Sequence, residues 1–353
     1  MPTRRMALRC AAAMVVSRAA SGPGAAEAAA RPIPLGSAAE IGAFRSDPRY
    51  REALERYCDV IVPMNDLKWE ALRQDRARFD FSGADEIVAF ATANRKALRG
   101  HTLLWGEALP GWAREMSTRA EAERELVAHI EAVVGRYKGR IATWDVVNEV
   151  IRYDPKPDAP YRDTIWQRLL GPDHVEIAFR TAARVDPDAR LVLNDFHFEE
   201  PVPGAAARRE VALETCRRQK DKGIPVHGIG LQAHLYADKG IDTDGLQRFM
   251  RDLDALRLDV EITELDVIDW KKPADPARRD AAAAALVSTF LAAICAAKQP
   301  KAIVTWGLTD RYSWIHETFP RKDGARARPL PLDADYRPKP MMAVLETYRH
   351  GKA

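Results

Sequence analysis

The segment Ile141-Ala-Thr-Trp-Asp-Val-Val-Asn-Glu ends in Glu149, and the segment Val260-Glu-Ile-Thr-Glu ends in Glu264. Both are short, apolar and rich in β-branched residues, so both read as strands with a glutamate at the C-terminal mouth. The two acids lie 115 positions apart and converge only if their strands share one sheet. A facing pair of carboxyl groups is the minimal equipment for cleaving a glycosidic bond. One gives a proton, and the other attacks the sugar or activates water.

The elements that would position such a pair alternate regularly. Strand-like runs are expected at Glu40–Phe44, Asp59–Pro63, Ala97–Trp105 and Ile141–Val147, then at Arg190–Asp195, Gly228–Ala233, Asp259–Thr263 and Ala302–Trp306. Between them the spacing predicts helices over Ala120–Tyr137, Val175–Val185, Ala205–Lys222, Asp244–Leu256 and Pro276–Ala297. Asp275-Pro276 has the form of an N-cap followed by proline at the first helical position. Eight alternations imply parallel strands with right-handed crossovers, closing as an α/β fold, a single (β/α)8 TIM barrel over residues 35–350. An open doubly wound sheet would want a glycine-rich phosphate loop after an early strand, and none is present. Asn65 and Lys68, His101 and Trp105, Asn148 and Glu149, Gln232 and His234, Glu264 and Asp266, and Trp306 and Asp310 all fall at or just beyond strand ends. In a barrel those ends converge on one rim, where sites are built.

Composition narrows the partners. The chain has 353 residues and a formal charge of +3, all of it in residues 1–30, where Arg4, Arg5, Arg9 and Arg18 face Glu27. The near-neutral remainder offers no footprint for nucleic acid or an anionic membrane, and an uncharged polymer suits it better. No stretch approaches the roughly 20 apolar residues of a membrane span. The paired arginines and alanine-rich run of residues 1–30 resemble a twin-arginine export signal, so a periplasmic or secreted location is expected. Cys58, Cys216 and Cys295 are scattered and read as thiols rather than as a disulfide framework or metal ligands. The histidines at 101, 129, 174, 197, 227, 234, 316 and 350 form no His-x-His pair, which argues against a metal-dependent barrel hydrolase, and no metal is expected.

Taken in chain order, Asn65-Asp-Leu-Lys-Trp-Glu70, Arg99-Gly-His-Thr-Leu-Leu-Trp105, Trp144-Asp-Val-Val-Asn-Glu149, Gly230-Leu-Gln-Ala-His234, Ile262-Thr-Glu-Leu-Asp266 and Thr305-Trp-Gly-Leu-Thr-Asp-Arg-Tyr-Ser-Trp314 resemble glycoside hydrolase family 10, the endo-xylanase family. The resemblance covers residues 38–349 and implies a (β/α)8 barrel, a retaining mechanism and no cofactor. In the implied mechanism Glu149 is the general acid and then the base, and Glu264 is the nucleophile. His234, oriented by Asp266, would hold Glu264 ionised, so that Glu149 keeps its proton. Asn148 would donate to the sugar 2-hydroxyl. Asn65, Lys68, His101 and Gln232 would bind hydroxyls on the non-reducing side. Trp105, Trp306 and Trp314 would offer faces for pyranose rings, while Trp69, Trp112, Trp144 and Trp166 are structural. The implied activity is endo-hydrolysis of β-1,4-xylosidic bonds. Alternatives are a β-1,4-glucanase, a mixed xylanase–glucanase, and an inactive polysaccharide-binding barrel.

Three positions depart from the family pattern. Met64 stands where a glutamate is usual, Gly106-Glu-Ala108 replaces a His-Ser-Gln type segment, and the fifth strand closes Asn194-Asp-Phe-His197. The first two lie on the non-reducing side, so weaker contacts to the second sugar there are expected. The third lies near the leaving-group side.

Overall fold

The computed structural model describes residues 31–352. Eight parallel strands form the barrel: β1 (Leu35–Ala39), β2 (Val60–Pro63), β3 (Ala97–Leu104), β4 (Thr143–Asn148), β5 (Arg190–Asp195), β6 (Gly228–Leu231), β7 (Asp259–Ile268) and β8 (Ile303–Thr305). Each pairs with the next, and β8 returns to β1 through Leu35↔Ile303, Gly36↔Val304 and Ser37↔Thr305. Every residue of β2, β6 and β8 is buried, as expected for parallel strands covered on both faces.

Helices fill the crossovers, among them Arg119–Tyr137, Asp173–Val185, Pro203–Asp221, Thr243–Ala255 and Pro276–Cys295. Their starts are chemically marked. The Asp275 carboxylate accepts from Ala277 N at 2.8 Å and Arg278 N at 3.2 Å, with Pro276 at the first helical position. Asp242 accepts from Gly245 N at 2.9 Å. Such a cap contributes about 1 kcal/mol. Helix Asp173–Val185 buries Val175, Ala178, Phe179 and Ala182, a three-to-four spacing that turns one stripe onto the sheet.

The first strand is not where the sequence pattern suggested. Glu40–Phe44 is not a strand: Glu40 caps helix Ile41–Ser46, accepting from Gly42 N at 2.9 Å and Ala43 N at 2.6 Å. The strand is the preceding Leu35-Gly-Ser-Ala-Ala, which has few strand-favouring side chains. Insertion between β8 and β2 makes it one, with all five residues buried. Only a glycine fits at 36, since a Cβ there would lie 2.6 Å from the Val60 carbonyl oxygen.

An antiparallel hairpin, Ile151–Lys156 with Ala159–Tyr161, follows β4 and was also not expected. It is tied to the end of β5: Asp195 Oδ2 accepts from Ile151 N at 3.0 Å, and buried Arg208 donates to Ile151 O and to Phe196 O, each at 2.9 Å. Cys58 and Cys216 are buried and Cys295 half-buried, all as free thiols. No helix among the described residues is long and apolar enough to cross a membrane. The twin-arginine-like leader of residues 1–30 lies outside the described residues.

Candidate active site

Strand register removes the 115-residue separation. Asn148 of β4 pairs with Asn194 of β5, and Glu149 N donates to Asn194 O at 2.9 Å. Gln232 N donates to Asp195 O, and Glu264 N to Gln232 O, each at 3.0 Å. Four consecutive strand ends are thus laced together, with Glu149 and Glu264 on one rim. Asn194 stands between them. Its Nδ2 donates to Asn148 Oδ1 at 2.8 Å and to Glu264 Oε1 at 2.7 Å, while its Oδ1 accepts from Thr263 Oγ1 at 2.6 Å. A Cβ on Gly230 would come within 2.3 Å of that oxygen, so the glycine makes room for the amide. Sequence reasoning gave Asn194 no role, although a polar amide directly after the apolar run Leu191-Val-Leu193 was the available signal; the structure shows it fully buried.

Glu264 is buried and held from several sides. His234 Nε2 lies 3.3 Å from Glu264 Oε2, and His234 Nδ1 lies 2.9 Å from Asp266 Oδ1. Trp314 Nε1 donates to Asp266 Oδ2 at 2.8 Å, so the tryptophan also anchors the histidine's partner. Burial by itself would raise the Glu264 carboxyl. The hydrogen bond from His234 and the charges of His101, His234 and Lys68 overcome that and bring it down to about 2. Burial likewise opposes charge on His234, but Asp266 and Glu264 outweigh it and hold the imidazole well above its ordinary value.

Glu149 is more open, with 18% of its side chain exposed against 6% for Glu264. Its Oε1 accepts from Gln232 Nε2 at 3.1 Å, and its Oε2 from Trp105 Nε1 at 2.9 Å and from Arg162 Nη1 at 2.7 Å. Arg162 also donates to Glu107 Oε1 at 3.1 Å. Sequence reading missed Arg162 because it comes from the hairpin segment after β4. Glu107, from the segment that departs from the family pattern, completes this chain. The backbone at Glu149 has φ +53°, a left-handed conformation costing a non-glycine residue about 1–2 kcal/mol. The laced strand ends and the three side-chain donors hold it there.

The remaining expected residues gather on the same rim. Lys68 Nζ donates to Asn65 Oδ1 at 2.8 Å and lies 5.0 Å from the Trp105 ring centre and 5.6 Å from that of Trp306. Burial lowers the Lys68 amine, and Glu264 and Glu149 oppose the shift. His101 Nδ1 is 3.0 Å from Asp145 Oδ2 and 4.0 Å from Glu264 Oε1. The protein bonds to Asn148 go to its Oδ1, from Asn194 and from Gln232 Nε2 at 3.3 Å, which leaves its NH2 as a donor. Trp69, Trp144 and Trp166 are wholly buried and Trp112 partly so, as structural residues should be. Met64 is packed rather than facing a void: it is 6% exposed in a cluster with Ala38, Val62, Val304 and Trp306.

Two carboxyl groups on one rim, one locked in a buried ion pair and the other half-open among three donors, are equipped for paired acid and nucleophile chemistry. The chain is 34% identical over 307 residues to a β-1,4-xylanase of Dictyoglomus thermophilum, an alignment spanning 82% of each chain. It is 32% identical over 303 residues to endo-1,4-beta-xylanase B of Thermotoga neapolitana, covering 83% of this chain and 81% of that one. Its fold superimposes on the crystal structure of xylanase 10B from Thermotoga petrophila RKU-1 in complex with xylobiose with a TM-score of 0.82 and 32% identity, covering 91% and 94% of the two chains. The family profile Glycosyl hydrolase family 10 spans residues 25–347. With the barrel, the rim glutamates and this match in agreement, the chain belongs to glycosyl hydrolase family 10.

Proposed function

We propose that the protein is an endo-acting, retaining hydrolase of β-1,4-xylosidic bonds in xylan. The observation that carries the assignment of roles is the unequal treatment of the two rim glutamates. Glu264, kept ionised by its partnership with His234, is the nucleophile. Glu149, reachable from solvent and steadied by Trp105 and Gln232, is the acid and then the base.

In the first step Glu264 attacks the anomeric carbon while the Glu149 proton passes to the departing glycosidic oxygen. A covalent glycosyl ester forms, and the Glu264 charge is lost. In the second step the ionised Glu149 takes a proton from water as the water attacks the ester, and β-configuration is restored. Retention needs carboxyl groups about 5–5.5 Å apart. The free NH2 of Asn148 donates to the 2-hydroxyl, and Asn65, Lys68, His101 and Gln232 bind hydroxyls on the non-reducing side. Trp105, Trp306 and Trp314 line the sugar faces, and Asp266 supports His234. The substrate is a neutral polysaccharide or oligosaccharide, and the chemistry needs no cofactor. The names of the relatives and of the xylobiose-bound neighbour support xylan as the polymer. Residues 35–350 form the catalytic unit, and residues 1–30 an export signal leading to the periplasm or beyond.

Incubation with xylan, mixed-linkage glucan and cellulose, with products resolved by chromatography, tests the reading. Xylo-oligosaccharides of mixed length should dominate, whereas preferential release of gluco-oligosaccharides would replace xylanase by glucanase. Export is tested separately with Arg4→Lys and Arg5→Lys together. The precursor should remain uncleaved in the cytoplasm, and normal export would overturn the twin-arginine assignment.

A further inference from the structure

Just beyond β5, His197, Glu199 and Glu200 present one imidazole nitrogen and two carboxylate oxygens that all lie within 4.8 Å of one another. This is the one such cluster found among the described residues. Acidic groups near a histidine do not make a site, but the state of these side chains is unusual. Glu199 and Glu200 are each only 2% exposed. Both carboxylate oxygens of Glu199 lack any hydrogen-bond partner, as does Oε2 of Glu200. His197 Nδ1 lies 2.6 Å from Glu200 Oε1, within ion-pair range. Lys239 Nζ meets the same oxygen at 2.9 Å.

A buried carboxylate with no donor is costly, because nothing replaces the water it loses. Glu199 is such a carboxylate, and together with the unpartnered Oε2 of Glu200 and the nearby His197 imidazole it forms a cradle that a cation can occupy. We propose that His197, Glu199 and Glu200 bind a divalent transition-metal ion of the zinc class, with water completing the coordination. The donor set selects the ion. Imidazole with carboxylate suits zinc and its neighbours, whereas calcium wants about 6–8 oxygens. Ligand atoms about 2.1 Å from a central ion are at most about 4.2 Å apart, so a small contraction engages all three. The backbone of His197 is left-handed, φ +55°. The ring is braced by Phe196, Tyr153 and Tyr236, with centres at 4.8, 5.1 and 5.9 Å. Such an ion would tie the 196–200 segment down three residues beyond Asn194, which itself contacts Glu264. The sequence search for His-x-His pairs could not find this site, because its ligands are one histidine and two acids in a His-x-Glu-Glu run.

The competing account is a neutral Glu199, since burial raises its carboxyl above the ordinary range. Calorimetric titration of untagged, chelator-treated full-length protein with ZnCl2 at neutral pH separates the two. One equivalent should bind, with a rise in melting temperature. His197→Ala and Glu199→Gln should each weaken binding by at least about 100-fold, since loss of even an outer partner costs 10–100-fold. CoCl2 should give a visible spectrum of bound, low-symmetry cobalt that both variants abolish. Absence of binding heat, or binding undiminished in variants shown by circular dichroism to be folded, would overturn the proposal. Loss of fold in one variant leaves the cobalt spectrum of the parent, and its bleaching by one equivalent of ZnCl2, as the deciding readout. A parent without that spectrum would equally overturn the site.

Discussion

Glu264 and Glu149 are the same residue on the same rim, and their surroundings make them different reagents. Glu264 is buried, with one oxygen on Asn194 and the other on a histidine that Asp266 and Trp314 hold in place. Glu149 is more exposed and is met by Gln232, Trp105 and Arg162, two from other strand ends and one from just beyond the hairpin. The first arrangement fixes a charge, and the second fixes a direction while leaving access to water. Burial raises a carboxyl unless a cation and hydrogen bonds outweigh it, so the neighbours decide the role.

The largest break in this contrast comes from removing Glu264. Glu264→Gly should lose xylan hydrolysis to background, and azide should restore turnover of an activated aryl xyloside as the α-glycosyl azide. A β-azide product would mean that the two acids are exchanged. Glu149→Ala is the next test. Hydrolysis of poor leaving groups should fall by about 10²–10⁴-fold while the covalent intermediate still forms from activated substrates. Equal loss across a series of leaving groups, measured by burst kinetics, would contradict the assignment.

The ionised pair sharpens the comparison through pH. Glu264 is lowered from 4.5 to about 2, so its contribution is present above about pH 4.5 and is lost as pH falls through about 2, on the order of 3 kcal/mol. His234 is raised above 6.5, so its contribution is full below that pH and disappears as pH rises through the higher folded value. Thermal melts from pH 5 to 2 should show parent stability falling more steeply than that of Glu264→Gln. Parallel curves would place the acid sensitivity elsewhere.

Arg162 probes the open side. Arg162 Nη1 donates to Glu149 Oε2 at 2.7 Å and so orients that carboxylate as it takes a proton from water in the second step. Arg162→Ala should therefore slow breakdown of the glycosyl ester by about tenfold, with less effect on its formation. Pre-steady-state measurement with an activated aryl xyloside distinguishes the steps, and equal slowing of both would reduce Arg162 to packing. The smallest effect is expected at the departures from the family pattern. Met64→Glu with Ala108→Gln should lower KM for xylotriose severalfold, each new bond contributing about 0.5–1.5 kcal/mol. Because Met64 is packed against Trp306, the same change should also lower the melting temperature. An unchanged KM would show that the packed cluster has closed that subsite.

Much of the barrel was legible because its signals are local. Apolar runs marked seven of eight strands, and Asp275-Pro276 marked a helix start by capping chemistry that needs no tertiary partner. The first strand was misplaced because Leu35-Gly-Ser-Ala-Ala becomes a strand only through its neighbours. The hairpin after β4 was missed for a related reason. It is held by Asp195 and Arg208 from other elements rather than by a turn signal of its own.

The sequence by itself determined the alternation of elements, the placing of two glutamates at strand mouths and the company of polar and aromatic residues around them. All of these are properties of residue type and spacing along one chain. His234 was expected beside Glu264, but only the tertiary structure decided the other neighbours that each acid meets. Asn194 reaches Glu264 across 70 positions, and Arg162 reaches Glu149 from beyond a hairpin. Hydrogen bonding and desolvation act over a few ångströms of space and are indifferent to distance along the chain. The strands could be read from local pattern and the roles of Glu264 and Glu149 from the family resemblance, whereas the contacts of Asn194 and Arg162 that support those roles had to wait for barrel closure.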